Sequence, residues 1–171
     1  MLNGKEWHEL HGNFLADTQQ LMTRADECLS HLDLINDDKD AIECLLGTLQ
    51  QIAGKADTAS VQSIAGFARQ LRYLLYFASA AGRLQPKALV TLRGCLSLLS
   101  WQVELVDPLS GQLPLDDSEQ HQLLEQFGCC CGIGLLDSSH SVAVEWTAPL
   151  ASALPLVESA LGEHRDRPAS L

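Results

Sequence analysis

The stretch KDAIECLLGTLQQIAGKAD, residues 39–57, decides how this chain is read. Ile42, Leu45, Leu46, Leu49, Ile52 and Ala56 recur every three or four residues, the spacing of one apolar stripe on an α-helix. On the polar side stand Gln50 and Gln51 and, three residues further on, Gly54. A glycine inside a helix costs about 1 kcal/mol relative to alanine. The question is what that glycine and the paired amides face.

The same periodicity extends in both directions. Leu10, Phe14, Thr18, Leu21, Ala25, Cys28, Leu29 and Leu32 predict one long helix before it. INDDKDA (35–41) separates the two, with Asp37 expected as N-cap and Asp38 and Asp40 at the positive end of the helix dipole. Thr58 or Ser60 is expected to cap a third helix carrying Val61, Ile64, Ala68, Leu71, Leu75 and Ala78, which stops near Gly82. Pro86 suits the first turn of a fourth, with Leu89, Leu92, Leu96, Leu99 and Val103. Four amphipathic helices with short connections predict a mainly α fold, an antiparallel four-helix bundle over residues 5–106.

Beyond Asp107-Pro108 the composition changes, and residues 107–171 are expected to form a small α/β extension packed on or beside the bundle. PLSGQLPLDD is a loop, and SEQHQLLEQF a short helix capped by Asp117 or Ser118. Strands near 132–136 and 141–146 would form a hairpin through the turn at 137–140, with a last helix near 150–162.

Composition limits function. The 171 residues are 46% hydrophobic and 19% charged, enough for a packed core, and carry a formal charge of −11. That charge argues against nucleic acid, whose phosphates require Lys/Arg clusters, and against anionic membranes. No run reaches the length of a membrane span, and MLNGKEWHELHGNF lacks the order of a secretory signal, so a cytoplasmic protein with protein partners is expected. The six cysteines are then expected as free thiols. Cys28, Cys44 and Cys95 fit amphipathic patterns as small apolar residues, and Cys129-Cys130-Cys131, read as strand, would point to alternate faces and suit burial better than a metal. No cofactor and no metal site is expected.

The order and spacing of the first four helices resemble the histidine phosphotransfer (HPt) family, most closely the histidine-bearing N-terminal domain of CheA-type kinases. The likeness covers about residues 10 to 106. The family's pattern His-[Ser/Thr]-[Leu/Ile]-Lys-Gly-x-Ala falls on Gln50-Gln51-Ile52-Ala53-Gly54-Lys55-Ala56. Gly54 and Ala56 match, and Ile52 matches in kind. The phospho-acceptor histidine is replaced by Gln50, the phosphate-holding lysine by Ala53, and the supporting acidic residue of the third helix by Arg72. An amide nitrogen delocalised into its carbonyl is no nucleophile, so phosphotransfer is not expected.

What the resemblance leaves is a docking surface. Gly47, Gln50, Gln51, Gly54 and Thr58 share one side of the helix, with Ala53, Arg69 and Arg72 as further candidates for partner contact. The resemblance implies a receiver domain, a histidine kinase or another signalling enzyme as partner, in a bacterial two-component or chemotaxis-like pathway, bound without catalysis. The extension offers a further surface for self-association. Two other classes remain. One is an acidic interaction protein unrelated to phosphorelays, such as an immunity protein, secretion chaperone or anti-regulator. The other is a response-regulator phosphatase using the Gln50 amide, which the spacing disfavours: Leu46 and Gly47, not an acid, stand one turn earlier.

Overall fold

The computed structural model describes residues 4–82 and 84–133. It is mainly helical: α1 (Gly4–His11), α2 (Phe14–Leu34), α3 (Lys39–Thr58), α4 (Gln62–Ala80), α5 (Pro86–Leu105) and α6 (Ser118–Cys130). Among the described residues there is no strand.

Helices α2 to α5 form the bundle. Each is long relative to the connection that follows, which spans only 35–38, 59–61 or 81–85, so successive helices run antiparallel. α2 packs against α3 and α5, and α4 packs against the same two, closing a four-membered ring. The apolar stripes meet inside it: Leu29, Leu32, Leu45, Leu49, Ile52, Ile64, Leu71, Leu75, Leu92 and Leu99 are fully buried. Leu46 is only half-buried, at the edge of the α3 stripe. Among the described residues, two polar side chains are buried without a hydrogen-bond partner for one oxygen each, Thr18 (Oγ1) and Gln102 (Oε1).

The boundaries depart from expectation in four places. The first long helix is two, α1 and α2, because the chain turns at Gly12-Asn13; a Cβ at position 12 would lie 2.8 Å from the His8 carbonyl oxygen. Asp38, not Asp37, caps α3, its carboxylate accepting from the Asp40 and Ala41 amides at 3.1 and 3.2 Å. Neither Thr58 nor Ser60 caps α4. Thr58 is the last residue of α3 and its hydroxyl donates to the Gly54 carbonyl, while Val61 occupies the cap position without a side-chain bond. Cys129 and Cys130 lie in the last turn of α6, not in a strand, and Cys131 follows it as a buried turn residue. The expected hairpin and last helix lie outside the described residues.

α6 packs into the groove between α4 and α5, within the same compact unit as the bundle. Phe127, fully buried, and Leu124 supply the contact. Its start is tied down by polar bonds: Ser63 donates to the Asp117 carboxylate, and the Gln120 amide donates to Ser63, both at 2.9 Å. At its far end the Cys130 sulfur meets the Thr91 hydroxyl of α5 at 3.7 Å. α6 therefore runs antiparallel to α5, from beside the start of α4 to beside the start of α5.

The corner where α1 meets the bundle is closed by one tryptophan. Trp7 is buried, and its Nε1 donates to the carbonyl of Ala59 in the α3–α4 connection at 2.9 Å. Its ring lies edge-on to Phe14, with centroids 6.2 Å apart, and beside His11 at 5.4 Å. The loop after α5 folds over it. Asp107 orders that loop, its carboxylate accepting from the Ser110 hydroxyl at 2.7 Å and the Leu109 amide at 2.9 Å; these bonds, the hydroxyl first, hold it below the usual carboxylate range. The result is that Gly111, at φ +68°, sits directly on the indole.

Candidate functional site

On α3 the 3.6-residue repeat separates a buried stripe from an outer strip. Asp40, Glu43, Gly47, Gln50, Gln51, Gly54 and Thr58 are all exposed. The two amides thus project midway along a polar strip interrupted by two glycines. A Cβ built on either Gly47 or Gly54 would meet nothing within 4 Å. No packing inside the described molecule requires glycine at these positions.

Ala53 does not belong to this surface. It is 2% exposed, and the expectation that it contacts a partner is corrected accordingly. At about 100° per residue, Ala53 lies roughly 60° beyond Gln50, away from the centre of the strip and into the bundle. Position 53, which the resemblance alone aligns with the HPt family's lysine, is therefore internal.

Ion pairs flank the strip on both sides. Toward α2, Lys55 Nζ lies 2.7 Å from an Asp17 carboxylate oxygen. Toward α4, Arg69 pairs with Asp57. Arg69 is thus exposed but already committed to an acidic neighbour, while Arg72, one turn further along α4, is exposed and takes part in none of the ion pairs among the described residues. Both pairs are surface pairs, worth about 0–1 kcal/mol each, and they order the rim more than they stabilise the fold.

Two neighbouring features were not anticipated from sequence. A cleft of about 520 Å³ runs alongside the strip between α3 and the α1–α2 turn, lined by His11, Asn13, Asp17, Gln51, Gly54 and Thr58 among others. His11 reaches it only because the chain turns at Gly12-Asn13, which periodicity alone does not reveal. On α4, Tyr73, Tyr76 and Phe77 are exposed by 52%, 54% and 43%, and their rings pack on one another, with centroids 4.6 Å apart for Tyr73–Phe77 and 5.3 Å for Tyr76–Phe77. Their spacing on the helix was visible; that none of the described helices covers them was not.

Among the described residues no group of three or more His, Cys, Asp or Glu side chains is placed to hold a metal ion. None of the described helices is long and apolar enough to cross a membrane. Comparison with protein-family models, with curated proteins and with solved structures returns no match.

Proposed function

We propose that this chain is a non-catalytic, phosphotransfer-like signalling protein whose outer α3 strip binds a receiver domain, a histidine kinase or another enzyme of a two-component or chemotaxis-like pathway. The observation that carries the reading is the pair of open glycines around Gln50 and Gln51. Each lowers helix stability by about 1 kcal/mol, and no contact within the described residues offsets it. A partner whose backbone approaches the strip would supply the missing reason. The chemistry agrees: Gln50 has no nucleophilic nitrogen, and Ala53 and Arg72 provide neither the lysine nor the acid that phosphotransfer uses. The chain would compete with, or scaffold, a phosphorelay step performed elsewhere.

The test is binding of the purified full chain to a panel of purified receiver domains and kinases, measured by interferometry for wild type and Gly54→Arg. Binding to at least one of them that Gly54→Arg abolishes supports the proposal. Equal binding by both, or binding to none, overturns it. Gln50→His is expected to remain unphosphorylated by a kinase, because Ala53 and Arg72 are unchanged.

One observation favours the second reading, an acidic interaction protein outside phosphorelays: the exposed aromatic cluster on α4, since exposed tyrosine and phenylalanine are frequent anchors of protein interfaces. On that reading Tyr76→Ala weakens binding to the partner while Gly54→Arg does not.

A further inference from the structure

Helices α2 and α3 also bring together two thiols and a guanidinium that the outer strip does not use. Cys28 lies on the buried stripe of α2, and Cys44 is half-buried on α3. Arg24, one turn before Cys28, reaches across the interface, and its Nε donates to the Cys44 sulfur at 3.4 Å. Cys28, one turn after Arg24 on the same helix, is close enough to Cys44 for the two thiols to influence each other's ionisation. Both cysteines are free thiols.

The two environments push the thiols apart. Burial, then the influence of Cys44, pushes the Cys28 thiol up to about 12. Partial burial pushes Cys44 up as well, but the influence of Cys28 and the bond from Arg24, together with the charge of Arg24, outweigh this and bring it below its ordinary value. A lowered thiol pKa, a neighbouring cation and partial exposure mark a reactive cysteine. Cys95 and Cys130 lack this set. Cys95 is buried in α5, and desolvation pushes it up to about 12. Cys130 meets the neutral hydroxyl of Thr91. Cys129 is exposed at the end of α6.

We propose that Cys44 is a peroxide-sensitive thiol and Cys28 its resolving partner, a reversible oxidation site that ties α2 to α3. The co-reactant is a hydroperoxide, hydrogen peroxide being the simplest. The Cys44 thiolate attacks one peroxide oxygen; an S–O bond forms, the O–O bond breaks, and the departing hydroxide takes up a proton as water. The sulfur has lost two electrons and is a sulfenic acid. The Cys28 sulfur then attacks it; the S–S bond forms, the S–O bond breaks, and the hydroxyl leaves with the Cys28 proton as a second water. A dithiol reverses the bond by two exchange steps and is itself oxidised to its disulfide. Cys44 lies one turn before the Gly47–Gln51 segment, so the bond would fix α3 against α2 beside the outer strip. The site does not depend on what that strip binds.

The experiment treats the reduced full chain with one equivalent of hydrogen peroxide at neutral pH, alkylates the remaining thiols and maps the cysteines by mass spectrometry. The expected product is a Cys28–Cys44 cross-linked peptide pair, lighter by two hydrogens and restored by a dithiol. In Cys28→Ala the sulfenic acid should persist on Cys44 and be captured by dimedone; Cys28→Val fills the same buried site if the alanine variant loses its helical circular dichroism. Arg24→Gln should slow Cys44 oxidation severalfold while leaving Cys129 and Cys130 unchanged. Oxidation of Cys129 or Cys130 with Cys44 left reduced, or a Cys44 rate unaffected by Arg24→Gln, overturns the proposal.

Discussion

A methyl group added at Gly111 would overlap the Trp7 indole at 2.3 Å, whereas one added at Gly54 would meet nothing within 4 Å. The first glycine lies in a loop at positive φ with a buried ring against it; the second lies in a regular helix with solvent above it. Gly111 is thus accounted for by the fold and Gly54 is not. The corner around Trp7 is where the sequence has been fitted to its own structure, and the outer strip of α3 is where stability has been left unclaimed. Gly66 on α4 is a useful third case: it too has open space above it, so a single open helical glycine does not mark a binding surface. What distinguishes α3 is two of them seven residues apart, on one strip, with two exposed amides between.

The largest effect expected belongs to the closed corner. Trp7→Ala removes a buried indole, its contact with Phe14 and its hydrogen bond to Ala59, leaving a cavity between α1, the α3–α4 connection and the 107–112 loop. Substitutions of this kind typically cost about 3–5 kcal/mol. Urea denaturation should show it as a lowered midpoint at an unchanged slope. A loss within 1 kcal/mol, about the level of ordinary surface substitutions, would mean that α1 is not integral to the unit and that Gly111 is not held by it.

Gly111→Ala tests the same corner from the other side. The left-handed conformation costs an alanine about 1–2 kcal/mol, and overlap with a packed ring adds about 1–3 kcal/mol. The decisive measurement is a double-mutant cycle with Trp7→Ala: the overlap disappears with the indole, so the combined loss should fall short of the sum of the two single losses. Strict additivity would show that the close approach to Trp7 is not what constrains Gly111.

How far the sequence announced these regions follows from the kind of force that shapes each. The four long helices were legible because burial imprints a 3.6-residue period on Leu, Ile, Val and Ala, and every position of the third and fourth stripes, from Val61 to Val103, is buried. The strip around Gln50 was legible as the complement of such a stripe, which is also why Ala53 was misplaced: a small residue at the edge of a stripe carries no clear sign of which side it takes. The break at Gly12-Asn13 was hidden because Phe14 and Thr18 continue the period across it. The closing of the corner by Trp7 and Gly111 depends on residues about a hundred positions apart. The meeting of Arg24 with Cys44 likewise exists only once α2 and α3 are docked, and a half-buried cysteine in an amphipathic pattern looks in sequence like any other small apolar residue.

The smallest effect expected carries the most information about function. Gly47→Ala and Gly54→Ala keep helical backbone angles, add no overlap and reduce the freedom of the unfolded chain, so each should stabilise the protein by about 0.4–1 kcal/mol. In a chain of this size that corresponds to a thermal midpoint higher by roughly 2–4 °C for each kcal/mol. Gly66→Ala should do the same and serves as the control. The three variants separate when binding is measured. If a partner's backbone lies against the α3 strip, the alanines at 47 and 54 weaken binding while raising stability, and the alanine at 66 raises stability alone. Equal affinity for all three would leave the α3 glycines as unimproved positions, shifting attention to the aromatic cluster on α4. Destabilisation by Gly54→Ala would be more drastic, because it would mean that something in the folded chain occupies the space above that glycine.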